Sequence, residues 1–129
     1  MAEAGLYIQT RTGEIVRAVV PKDHIAFQIG ETAQIHSGGL LQATPHAVRG
    51  PGVCGISRES FAVFMEPEWD EPMQVPQGRS PSDVANNSKH LPAGVPPLSK
   101  RWGTKDCAFT TCDFGKFSEI TYKAYLVEK

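Results

Sequence analysis

The sequence predicts a mainly β domain with a long proline-rich loop and a C-terminal α-helix. Three observations point there. Short β-branched and aromatic runs recur between glycine- and proline-containing turns from residue 6 to residue 65. Prolines then crowd the stretch 69–100. Apolar residues at helical spacing occur convincingly in one place, residues 115–127.

Taken in order, residues 6–20 read as a hairpin. Leu6-Tyr7-Ile8 leads into the polar turn Thr10–Glu14, and Ile15–Val20 returns. Pro21 ends the second strand because it has no N–H to give to a ladder. Ile25–Ile29 reads as a third strand, stopped by Gly30. Thr32–His36 reads as one helical turn, followed by a Ser37-Gly38-Gly39 loop that needs glycine conformations. Residues 40–49 form a predicted fourth strand carrying His46, and residues 56–65 a fifth. Alternation puts Arg58, Ser60, Ala62 and Phe64 on one face of that fifth strand. These elements define a β region over 1–68, a proline-rich surface loop over 69–114 and a helix with its tail over 115–129.

Length and composition narrow the function classes. A chain of 129 residues makes one domain of ordinary size. A formal net charge of −1 gives no general electrostatic grip on nucleic acid or on an anionic membrane. No apolar run reaches the ~20 residues of a membrane span. Met1–Gly5 lacks the basic and apolar regions of a signal peptide, so the expected location is cytoplasmic. Cys54, Cys107 and Cys112 are odd in number and lack Cys-x-x-Cys spacing, so reduced thiols are expected ahead of the alternative, a Cys107–Cys112 pair. Asn86-Asn87-Ser88 is a formal glycosylation sequon in a polar stretch, read as a coincidence.

Two candidate functional groups stand out. His46 offers an imidazole for iron, zinc or copper, although a lone histidine on a strand is more often structural. Arg58 and Ser60 offer a guanidinium fork and a hydroxyl on one face, a pair suited to a carboxylate. The competing reading is a surface arginine paired with Glu59 or Glu66. His24, His36 and His90 make no zinc spacing with His46, and no nucleophile elbow, phosphate loop or dinucleotide fingerprint occurs.

The order of these pieces resembles the C-terminal part of the iron(II)/2-oxoglutarate-dependent dioxygenases related to isopenicillin N synthase. The resemblance runs through Gly5-Leu6-Tyr7-Ile8, the Gly13 hairpin, Ile25 to Gly30-Glu31, Ser37-Gly38-Gly39, Thr44-Pro45-His46-Ala47-Val48 and Arg58-Glu59-Ser60. Farther on, Leu91-Pro92, Gly94-Val95-Pro96-Pro97-Leu98, Arg101-Trp102 and Phe114-Gly115 are similar to a eukaryotic subgroup of that family. The resemblance implies a partial double-stranded β-helix, or jelly roll. It implies His46 as the distal ligand of iron(II), and Arg58 and Ser60 as the anchor for the far carboxylate of 2-oxoglutarate. The family's other two iron ligands, a His-x-Asp pair, have no counterpart in this sequence. The expectation is therefore the C-terminal portion of an oxidoreductase acting on an unspecified substrate, inactive as the isolated chain. The alternative is a jelly-roll interaction module that has lost iron binding. In either case a half jelly roll leaves open sheet edges, from which self-association is expected.

Overall fold

The computed structural model describes residues 3–87 and 90–126. Ser88 of the sequon and Val127 at the end of the expected helix lie outside the described residues.

The predicted hairpin forms. Strand β1 is Gly5–Gln9 and strand β2 is Ile15–Ala18, antiparallel, with Leu6 opposite Ala18 and Gln9 opposite Ile15. Gly13 takes φ +89° in the connecting turn, a conformation that disfavours a side chain. Thr10 closes the turn from both sides. Its N–H donates to the Glu14 carbonyl at 2.8 Å, and its Oγ1 accepts from the Glu14 N–H at 3.1 Å. A third strand, β3 (His46–Arg49), pairs on the far side of β1, so the sheet order is β2-β1-β3. Ile8 faces His46 and Leu6 faces Val48. Directly opposed residues share a face, so Leu6, Ile8, Val16, Ala18, Val48 and His46 lie on one side of the sheet.

The expected strands differ from the observed ones in three places. Residues 25–29 and 56–65 are not strands, and of 40–49 only the last four residues are. Phe27 is 80% exposed and Phe61 95% exposed. A strand exists only where a partner takes up its backbone N–H and C=O groups, and among the described residues no fourth strand joins the sheet. The described residues form one three-stranded antiparallel sheet with a few helices, and most lie outside helices.

Helix α1 (Glu31–His36) is the expected helical turn. Gly38 N–H donates to the Ile35 carbonyl and Gly39 N–H to the Gln34 carbonyl, both at 2.9 Å. That is the Schellman closure, and it needs the positive φ of Gly38, +62°. Helix α2 (Pro81–Asn86) starts with proline in its first turn, and the Ser80 hydroxyl accepts from the Asp83 N–H. Helix α3 (Phe114–Leu126) is the helix expected from the apolar spacing.

The core lies where the sequence predicts a surface loop. Met73, Val84, Leu98, Trp102, Cys107 and Cys112, all between residues 69 and 114, are buried with Ile35 of α1 and Phe114 and Phe117 of α3. Backbone pairing fastens the ends of this stretch together. Met73 N–H donates to the Cys112 carbonyl, and Phe114 N–H to the Glu71 carbonyl. At Gly115 the Trp69 indole fills the space a side chain would need.

Cys107 and Cys112 are joined in a disulfide, which corrects the expectation of two reduced thiols; Cys54 is free and exposed. A turn makes the link feasible. Cys112 N–H donates to the Ala108 carbonyl at 3.0 Å, and the two Cα atoms stand 4.7 Å apart. Closing so short a loop stabilises the fold by about 2 kcal/mol in the chain-entropy account. Reduction is therefore expected to lower the urea midpoint, and Cys54→Ser to leave it unchanged. Equal midpoints in reducing and oxidising buffer would refute the stabilising role of this bond.

One side chain gives the fold a pH dependence. Tyr125 on α3 titrates above the ordinary tyrosine range, first because it is partly desolvated and then because Glu31 is close, with Arg101 opposing. A phenol whose value is raised by folding contributes stability that is fully present below about pH 10 and is lost as pH rises through the raised value. Unfolding midpoints are expected to fall above about pH 10, and Tyr125→Phe to remove that part of the fall. An unchanged alkaline profile in Tyr125→Phe counts against the assignment.

Candidate functional site

His46 opens β3, and its position is fixed by the register that sets it opposite Ile8. The Gln9 N–H donates to the Pro45 carbonyl at 2.9 Å and extends the pairing just past it. Its ring Nδ1 lies 3.1 Å from the Thr44 carbonyl. Gln28 Nε2 lies against the ring, 2.8 Å from Nε2 and 2.6 Å from Nδ1. The Thr44 carbonyl can only accept, so it favours the proton on Nδ1 and leaves the Nε2 lone pair facing the Gln28 amide. A histidine held through Nδ1 by a backbone carbonyl is oriented as metal ligands commonly are. The Gln28 amide now takes the lone pair that a metal would need.

Arg58 and Ser60 are brought together. Arg58 Nη1 donates to Ser60 Oγ at 2.8 Å. Both lie in the irregular segment after residue 50, so this closeness comes from the local turn of the chain and not from strand alternation. Arg58 also lines an open groove of about 440 Å³ at the Gly5 end of β1, with Leu6, Arg17, Ala18, Val20 and Ile56. No hydrogen bond joins Arg58 or Ser60 to His46 among the described residues. The register sets His46 three positions along β1 from Gly5, about 10 Å at strand rise.

Three residues of this region carry no motif in the sequence. Gln28 meets His46 across 18 positions of chain. Arg17 reaches the groove because Gly5, on the neighbouring strand, has no side chain; a Cβ there would meet Arg17 Nε at 2.9 Å. Glu3 pairs with Arg17 through Nη1. The signal available in the sequence was Arg17 itself, a charged residue inside the apolar run Ile15–Val20.

The donor set gives one imidazole. Among the described residues no group of three His, Cys, Asp or Glu side chains is placed to hold a metal ion. No described helix is long and apolar enough to cross a membrane. Comparison with known proteins gives no match: no family model, no curated protein and no solved structure matches the chain.

Proposed function

We propose that the chain supplies the distal histidine and the carboxylate anchor of an oxygenase of the iron(II)/2-oxoglutarate type. The observation that carries this reading is the Arg58–Ser60 pair, 2.8 Å apart at the rim of a groove with an apolar wall. A guanidinium fork with a hydroxyl beside it presents parallel donors to a carboxylate, while Leu6, Val20 and Ile56 suit a short methylene chain. His46 contributes an imidazole oriented through Thr44. The described residues do not by themselves fit catalytic iron, which takes two histidines and a carboxylate. A His-x-Asp pair from another segment completes the set in this reading, and Gln28 withdraws from His46 when metal enters.

The test is succinate formation from 2-oxoglutarate with iron(II). The 129-residue chain is expected to form none. A longer gene product bearing His-x-Asp is expected to form succinate and to lose that activity on His46→Ala. Turnover in the longer product that survives His46→Ala would sink the proposal. A second reading, a non-catalytic interaction module, is favoured by the apolar side chains left uncovered at Phe61, Phe64 and Met65. It expects concentration-dependent self-association in sedimentation, with no iron-dependent chemistry in either product.

A further inference from the structure

The Cys107–Cys112 disulfide is a two-electron group that the proposed oxygenase chemistry does not use. Both cysteines are buried. The bond closes a turn that carries Phe109, whose ring packs edge-on against Trp102 at 4.6 Å. The chain leaving this turn is paired with residues 69–74. Gln74 Nε2 donates to the Thr110 carbonyl at 3.1 Å, and Met73 N–H to the Cys112 carbonyl at 2.9 Å. Phe114 N–H donates to the Glu71 carbonyl and Gly115 N–H to the Trp69 carbonyl, both at 2.8 Å. These bonds make a short two-stranded clasp that ties the start of α3 to the stretch after Pro67. Cys112 is at once a rung of the clasp and one end of the disulfide.

We propose that Cys107–Cys112 is a redox-sensitive latch: thiol–disulfide exchange with a small thiol opens the clasp on reduction and closes it on oxidation, while the rest of the core stays folded. The inference does not rest on the oxygenase reading. Two observations make the bond a latch on the clasp and not a staple for the whole fold. It spans five positions of sequence, so reduction returns little entropy to the unfolded chain and leaves the domain folded. The core also keeps Ile35, Val84, Leu98 and Phe117, with the Glu31–Arg101 pair, all outside residues 107–112. A two-stranded ribbon, by contrast, is marginal without further support. The exchange takes two thiols. One glutathione thiolate attacks a protein sulfur, breaking the disulfide, forming a mixed disulfide and releasing one cysteine thiolate. A second attacks the glutathione sulfur of that mixed disulfide, giving glutathione disulfide and the other cysteine thiolate. Both cysteines take protons from solvent, and the two electrons pass from glutathione to the protein. Because both are buried, attack waits for the turn to open locally.

The test uses the full chain with Cys54→Ser, which removes the exposed third thiol. The protein is equilibrated in buffers of graded reduced-to-oxidised glutathione ratio, the thiols are trapped by alkylation, and mass spectrometry counts them. Amide hydrogen exchange is followed in the same buffers. Two thiols are expected to appear together as the ratio rises. On reduction, exchange at Met73, Phe114 and Gly115 is expected to accelerate at least about tenfold more than at Gly39 and Trp102, whose N–H groups are bonded outside the clasp. Returning the protein to oxidised glutathione is expected to restore protection. A Cys107→Ser, Cys112→Ser chain is expected to show the open pattern in every buffer. Equal acceleration at all five amides overturns the proposal, because the bond then acts on the whole fold. Unchanged exchange at the clasp overturns it, as does a closed clasp in the double-serine chain. A disulfide that stays intact at every glutathione ratio, or that does not re-form, also overturns it.

Discussion

Replacing Trp102 with alanine is expected to lower the unfolding free energy by about 4 kcal/mol. Trp102 is fully buried, and its indole N–H donates to the Met73 carbonyl at 3.0 Å. Its ring meets Phe109 edge-on at 4.6 Å. Truncation removes the largest apolar body in the core, leaves a cavity and strands the Met73 carbonyl. The surroundings cannot easily collapse into the gap. Gly103, at φ +81°, is held under the Phe109 ring, and Cys107 is tied to Cys112. A small domain has about 5–15 kcal/mol in total, so the variant loses a large share of it. Urea unfolding followed by circular dichroism reads the effect. A loss under about 1 kcal/mol would mean that this core does not govern the stability of the fold.

The second large effect is expected at Glu31. Its two carboxylate oxygens accept from Arg101 Nη1 and Nη2 at 2.6 and 2.5 Å. Arg101 is 1% exposed and also donates to the Pro96 carbonyl and the Thr121 hydroxyl. Its guanidinium lies 5.8 Å from the centre of the Phe117 ring and 5.9 Å from that of Tyr125. One ion pair thus ties α1 to the turn before Trp102 and to α3. Glu31→Ala leaves a buried cation without its counter-charge, which costs about 3 kcal/mol. Replacing both partners with apolar residues, Glu31→Leu with Arg101→Met, is expected to recover most of that loss, since both desolvation costs vanish together. A double variant as unstable as Glu31→Ala would show that the geometry of the pair, and not the lone charge, sets the cost.

Both effects fall in the part of the molecule that was hardest to read. The hairpin was legible because Leu6–Ile8 and Ile15–Ala18 are β-rich and a five-residue polar turn containing Gly13 joins them. The closure of α1 was legible in Ser37-Gly38-Gly39, and α3 in the spacing of Phe117, Ile120 and Ala124. These are local matters, settled within a few residues of chain. The stretch 69–114 showed neither period 2 nor period 3.6, because prolines separate Met73, Val84 and Leu98. Its burial arises from pairs far apart in sequence, such as Met73 with Cys112 and Glu31 with Arg101. The apolar runs at 25–29 and 56–65 read as strands because alternation reports a side-chain pattern and says nothing about a partner. At the candidate site, Arg58 and Ser60 do meet, but through a local turn and not through the strand alternation the sequence suggested; Arg17 stood out only as a charge in an apolar run, and the contacts of Glu3 and Gln28 left no local signal because they arise at the level of the fold.

By itself, then, the sequence determined the turns, the hairpin and the C-terminal helix. The tertiary structure alone decided that the proline-rich stretch is the core, that Cys107 bonds Cys112, and that Arg17 and Arg58 share a groove. The physical reason is the range of the interactions. Backbone conformation and alternation are set by neighbours in sequence, whereas burial, ion pairing and a shared groove require segments that meet only after the chain has folded.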